Sequence, residues 1–176
     1  MKIEKCKGVY EPEDDSYLMF SIPEVKGNIL DVGCGTGIVG IHYLEKGNKV
    51  TFIDIDPRAA ECTKRNLELN KLKGEVIISD LLSSVRGEFD YCLFNPPYLP
   101  SDQFNHIDLS GGIVGNETTT RFLIQAKEKC RVSYVIESSI APIDWRNIEC
   151  LCHEVVGKIT YHLEEIRLIR VWKCQQ

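Results

Sequence analysis

Short apolar runs that alternate with helical stretches constrain this chain more than any other feature. Asn28 to Val32 is an apolar run (Ile29, Leu30, Val32) closed by glycines, and it predicts a buried strand. A helix over Ile38 to Lys46 follows and stops at Gly47-Asn48, and a second strand runs from Lys49 to Ile55. Asp56 is a cap and Pro57 a tolerated first-turn residue ahead of a helix over Ala59 to Leu69. Further strands are predicted at Glu75 to Ser79, Phe89 to Phe94 and Val132 to Glu137. Helices are predicted over Glu117 to Cys130 and, briefly, Trp145 to Cys152. Val155 to Leu163 and Ile166 to Lys173 alternate apolar and polar residues, as an antiparallel hairpin at a sheet edge does. Strands separated by helices require a parallel sheet with right-handed crossovers and helices on both faces, an α/β doubly wound fold. No linker or repeat divides the 176 residues, so one domain is expected over 1–176.

Composition removes several classes. The net charge is −5, from 21 Lys and Arg against 26 Asp and Glu, which gives no field to draw a polyanion. Direct nucleic-acid binding is therefore not expected. No apolar run approaches the length of a membrane span, and Met1-Lys2-Ile3-Glu4-Lys5 leads into no apolar signal core, so a cytoplasmic location is expected. Eight cysteines are scattered without Cys-x-x-Cys spacing and read as reduced thiols, mostly small buried hydrophobes. Cys150-Leu151-Cys152-His153 lacks a matching second half, so no metal site is expected.

Asp31-Val32-Gly33-Cys34-Gly35-Thr36-Gly37 ends the first strand and opens the first helix. Glycines there let the backbone turn sharply and approach a ligand, and the helix start adds outward N–H groups. Gly35 to Gly40 also spells GxGxxG, and Asp54 lies nineteen residues past Gly35, where a carboxylate would meet ribose hydroxyls. The loop alone leaves a nicotinamide dinucleotide and S-adenosylmethionine both open. Asp31 would crowd a pyrophosphate but suits an ammonium. Asp80, closing the third strand, is placed to accept from an exocyclic adenine amine.

Asn95-Pro96-Pro97-Tyr98 ends the fourth strand. Two prolines cannot extend a central strand, and they stiffen the backbone. The Asn95 amide oxygen and the Pro96 carbonyl then form a pair of acceptors for both protons of a planar NH2, with Tyr98 packed over the group. A conjugated amine is a poor nucleophile; fixing its protons favours pyramidalisation and aims its lone pair.

With these motifs the chain resembles the class I S-adenosylmethionine-dependent methyltransferases. More closely it resembles the HemK-type branch that methylates a glutamine of a peptide-chain release factor, in its eukaryotic and archaeal form. The matching residues are Val9-Tyr10-Glu11-Pro12-Glu13-Asp14-Asp15-Ser16, Asp31 to Gly37, Asp54-Ile55-Asp56-Pro57, Ser79-Asp80-Leu81 and Asn95 to Tyr98, with a weaker match from Gly111 to Glu117. The resemblance implies a Rossmann-like seven-stranded sheet of order 3-2-1-4-5-7-6, with strand 7 antiparallel. Ser16, Asp31, Gly33, Gly35, Asp54, Asp80, Leu81 and Asn95 would line the cofactor, beneath a capping segment at residues 1–20. Asn95, Pro96, Pro97 and Tyr98 would receive the carboxamide, with Asn95, Pro96 and Tyr98 carrying the reaction. The family's eukaryotic and archaeal members use a small zinc-binding activator subunit. Here the apolar Val76-Ile77-Ile78 of the 75–79 edge strand is where such a partner would add a strand.

Rival readings are an amine methylase acting on adenine N6 or a protein lysine, a nicotinamide-dependent oxidoreductase, and an inactive scaffold subunit. His42, His106, His162, Trp145 and Trp172 are expected to be structural or solvated. Glu11, Glu13, Asp14 and Asp15 read as a solvated acidic face. The stretch Leu99 to Asn116, with Gly111, Gly112 and Gly115, is expected to cover the site.

Overall fold

The apolar run Asn28–Val32 is strand β1, and in the computed structural model, which describes residues 1–98 and 116–174, it lies inside a seven-stranded sheet. The other strands are β2 (Lys49–Asp54), β3 (Glu75–Ile78), β4 (Phe89–Phe94), β5 (Cys130–Ser138), β6 (Leu151–Thr160) and β7 (Glu165–Lys173). Their order is β3-β2-β1-β4-β5-β7-β6, as expected, with β7 antiparallel to both β5 and β6. Expectations that fall on residues 99–115, including His106 and the glycines at 111, 112 and 115, lie outside the described residues.

Parallel register brings the strand ends to one rim. Val32 of β1 is level with Ile53 of β2 and Phe94 of β4, and Asp54 of β2 with Ile78 of β3. The strand order reverses between β1 and β4, and the crevice outside such a reversal is where open α/β sheets bind ligands.

Helices α1 (Asp14–Leu18), α2 (Ile38–Glu45), α3 (Pro57–Leu69) and α4 (Glu117–Ala126) complete the layers. Asp56 caps α3, its Oδ1 accepting the Arg58 N–H at 2.8 Å, and Pro57 fills the first position, where no donor is needed. Because both sheet faces are covered, Ile29, Leu30 and Val32 of β1 are all buried. Leu30 and Val32 pack with Phe94 and with Phe122 and Leu123 of α4 on one face. Ile29 packs with Phe52, with Ile38 and Ile41 of α2 and with Leu67 of α3 on the other.

Three expectations are corrected. The segment predicted as a helix over Trp145 to Cys152 is a single 3-10 turn, Trp145–Asn147, after which β6 begins at Leu151. Trp145 stacks on His153 of that strand instead of facing along a helix. Six cysteines form disulfides, Cys6–Cys62, Cys92–Cys130 and Cys152–Cys174, leaving Cys34 and Cys150 as thiols. Linear spacing hides these pairs because the fold brings distant segments together: Cys92 lies on β4 and Cys130 at the start of the adjacent β5, and Cys152 lies diagonally from Cys174 across the β6–β7 ladder. Finally, Asp15 is not on a solvated face but buried, against the hydroxyls of Tyr10 and Tyr98. Among the described residues no helix is long and apolar enough to cross a membrane.

Candidate active site

A cavity of about 450 Å³ opens at the carboxyl rim. The glycine loop forms its floor. Gly35 has φ +54°, a conformation that other residues adopt only with strain, and its N–H donates to Asp54 Oδ2 at 2.9 Å. Gly40 serves a different need: a Cβ there would lie 2.2 Å from the Phe52 ring and 2.8 Å from Asp31 Oδ2. Without a side chain, α2 comes close enough for the Gly40 N–H to donate to Asp31 Oδ2 at 2.8 Å.

Every residue singled out from the sequence for the site lines this one cavity: Ser16, Asp31, Gly33, Gly35, Asp54, Asp80, Leu81, Asn95, Pro96, Pro97 and Tyr98. Their surroundings differ. Asp31 is buried, and burial pushes its carboxyl up to about 8 against the opposing Gly40 N–H, with the charge of Asp54 adding to the rise. Asp54 is also shifted upward by burial, although the N–H groups of Asp56 and Gly35 hold its two oxygens. Asp80 is half exposed, its Oδ2 accepting from Arg121 Nη2 of α4 at 2.7 Å. Leu81, with φ +50°, follows in a turn tied by the Ser79 hydroxyl donating to the Leu81 carbonyl at 2.8 Å.

At the end of β4 the Asn95 Nδ2 donates to the Ser16 Oγ at 3.3 Å. Its Oδ1 is buried and has no hydrogen-bond partner among the described residues. An orphaned buried acceptor is unfavourable by about 1–3 kcal/mol, so its persistence in a cavity wall points to an incoming donor. Tyr98 donates its hydroxyl to Asp15 Oδ2 at 3.0 Å, and Tyr10 donates to both oxygens of Asp15 at the same distance. Burial, and then Asp15, raise both phenols well above their ordinary value, so both remain donors.

Asp15, Tyr10 and Arg121 are among the cavity residues that sequence reasoning missed. Tyr10 and Asp15 stood within the matched opening motif, so a signal was present; the acidic run around Asp15 masked it. The opening segment is fixed along α3 by the Glu4 N–H donating to Asn66 Oδ1 at 2.8 Å and by the Cys6–Cys62 bond, which brings Gly8 to Tyr10 over the cavity.

The model of the family described as methyltransferase small domain matches residues 14–114. A Methanocaldococcus jannaschii protein, provisionally named a protein N5-glutamine methyltransferase, is 31% identical over 195 aligned positions that cover 98% of this chain and 96% of that protein. The ribosomal RNA small subunit methyltransferase C of Aeromonas hydrophila is 41% identical over 83 residues, 46% of this chain and 24% of that enzyme. Among solved structures, the E. cuniculi Mtq2–Trm112 complex, described as methylating the translation termination factor eRF1, superposes with a TM-score of 0.76. It is 24% identical, and the match covers 95% of this chain and 99% of that one.

Proposed function

This chain belongs to the methyltransferase small domain family, and from that premise we propose that it methylates the side-chain amide of a glutamine in a peptide-chain release factor, using S-adenosylmethionine. The observation that carries the reading is the Asn95 Oδ1, a buried acceptor at the end of β4 with no partner among the described residues. A carboxamide NH2 would complete it.

The cavity suits the cofactor. Asp31 is a buried carboxyl whose pKa is raised by burial, and an ammonium group beside it would stabilise its ionised form. Asp54 and Asp80 stand at the ends of the next two strands, where ribose hydroxyls and an adenine amine would be held. When bound, S-adenosylmethionine supplies an electrophilic methyl on a sulfonium.

The rest is work for this chain's own side chains. Asn95 Oδ1 and the Pro96 carbonyl would accept the two amide protons and hold the nitrogen in one orientation. Pro96 and Pro97 keep that backbone from relaxing when the substrate enters. Tyr98, pinned through its hydroxyl, would cover the planar group and exclude water. Positioning and fixed dipoles supply the acceleration, and no protein nucleophile takes part.

The sheet order leaves β3 at an edge, with Ile78 54% exposed and Val76 and Ile77 half-buried. A short apolar edge without proline invites strand addition. The E. cuniculi protein forms a two-chain complex, and we read β3 as the place where a small activator subunit, zinc-binding by family resemblance, would pair with this chain.

The test is mass spectrometry of a recombinant release factor after incubation with this protein and S-adenosylmethionine, with and without a candidate partner. A one-methyl gain on a glutamine is expected. A gain confined to ribosomal RNA or to a lysine would replace the substrate while leaving the enzyme class in place.

A further inference from the structure

Asp15 and Ser16, adjacent on α1, are 5% and 4% exposed and lie against the end of β4. Their hydrogen bonds have a direction. The Asp15 carboxylate accepts from the Tyr10 and Tyr98 hydroxyls at 3.0 Å, from the Ser16 backbone N–H at 2.5 Å and from the Ser16 hydroxyl at 3.3 Å. A carboxylate accepts only, so it takes up the one proton the serine hydroxyl can donate. The Ser16 oxygen is left as an acceptor, and the group it meets is the Nδ2 of Asn95 at 3.3 Å. An amide has a donor end and an acceptor end. With Nδ2 held by Ser16, the acceptor end is the one without a partner among the described residues.

We propose that Asp15, acting through the Ser16 hydroxyl, fixes which end of the Asn95 side chain is offered to the substrate amine. Both are positioning residues. Were the relay reversed, with Ser16 donating to Asn95 Oδ1, the acceptor would be occupied and the asparagine would present N–H groups to an amine that has only protons to give. This rests on the reading of Asn95 as the acceptor for a conjugated NH2, and it gives a reason for the acid beside Ser16 that cofactor binding alone does not.

The test compares Asp15→Asn, Ser16→Ala, Ser16→Thr, Tyr10→Phe and the Asp15→Asn/Ser16→Ala double variant at saturating S-adenosylmethionine, with release factor as substrate. Loss of one ordered hydrogen bond lowers kcat roughly tenfold in Asp15→Asn and in Ser16→Ala. Cofactor Kd, measured by calorimetry, stays within about twofold in Asp15→Asn, which keeps the Ser16 hydroxyl, a smaller change than one net hydrogen bond would give. Ser16→Thr keeps the hydroxyl and restores kcat. Because one relay connects the two positions, the double variant is no slower than the slower single one. Additive losses, or a loss confined to cofactor affinity, would overturn the proposal. So would a Tyr10→Phe variant that reproduces the Asp15→Asn loss, since Asp15 would then act only by holding the opening segment.

A second readout needs no turnover. In nitrogen-15 spectra the Asn95 side-chain NH2 should exchange faster with water in Ser16→Ala, and also in Asp15→Asn, where the serine is intact. Wild-type exchange in Asp15→Asn would sink the relay. If the release factor gains no methyl but both variants free the Asn95 amide, the substrate reading fails and the positioning role stands.

Discussion

The strand-end acids and the asparagine motif share one cavity but are held in place by different means. Asp31 and Asp54 lean on backbone N–H groups of Gly40, Gly35 and Asp56, which the glycine loop and the helix starts supply. Asn95 and Tyr98 lean on side chains, Ser16 and Asp15, from a five-residue helix about eighty positions earlier in the chain. Backbone supports come with the fold. Side-chain supports exist only while the opening segment is docked, so the cofactor side should tolerate distant damage better than the amide side.

The largest effect should come from the amide side. Asn95→Ala removes the acceptor itself, and loss of one preorganised polar group at a reacting centre lowers kcat by about 10²–10³. Asn95 is not needed to shape the glycine loop, so calorimetry should find cofactor affinity nearly unchanged. Equal losses in both would mean that the two sides are not separable.

Next comes the bond that keeps the opening segment docked. Removing Cys6–Cys62 by the Cys6→Ser/Cys62→Ser double change should lower stability by about 2–4 kcal/mol in equilibrium denaturation. Methyl transfer should suffer before cofactor binding does. Thiol titration of the unreduced, denatured chain should find the two free cysteines, Cys34 and Cys150, and not eight thiols. Unchanged stability, or eight thiols, would mean that this bond does not hold the opening segment in place.

Asp31→Asn probes the backbone-held side. A charge-assisted hydrogen bond contributes about 1.5–3 kcal/mol, so cofactor Kd should rise roughly ten- to hundredfold. The pH dependence has a definite sign. Burial lifts Asp31 to about 8 in the folded chain, above its unfolded value. Its contribution to stability is therefore fully present at low pH and is lost as pH rises toward 8. A cationic ligand requires the ionised form, so binding should release a proton and tighten as pH rises from 6 toward 8. Calorimetry in two buffers of different ionisation heat reads that proton. A pH-independent Kd, or no buffer dependence, would deny Asp31 an ammonium partner.

The same contrast explains what the sequence made legible. Short apolar runs bounded by turn residues mark β1, β2 and β4, and parallel pairing alone then brings Asp31, Asp54 and Asn95 to one rim. Asp15 escaped because its acidic run has the pattern of a solvated face. Its burial comes from Tyr98, 83 positions away, which no local period encodes. The disulfides escaped for a related reason, since each joins residues 22 to 56 positions apart that only the folded chain brings together. The sequence places Leu151 and Cys152 at the end of a helix because the start of β6 lies at a sheet edge, half-exposed or exposed, and lacks a clean alternation before Val155.

Asp80 stands between the two kinds of support, and it carries the smallest expected effect. It belongs to the strand-end acids, yet it is held by a side chain, Arg121, at 2.7 Å. The arginine is 54% exposed and the aspartate 49%, so solvent screens the pair and its contribution is about 0–1 kcal/mol. Arg121→Ala should therefore weaken S-adenosylmethionine by no more than about fivefold and leave unfolding nearly unchanged, with the effect shrinking as salt is added. Binding of an analogue with a 6-oxo purine, which has no amine to donate to Asp80, should not change. If Arg121→Ala instead cost as much as Asp31→Asn, a side-chain support would matter as much in water as in the core. Burial would then cease to be what separates the two sides of the cavity.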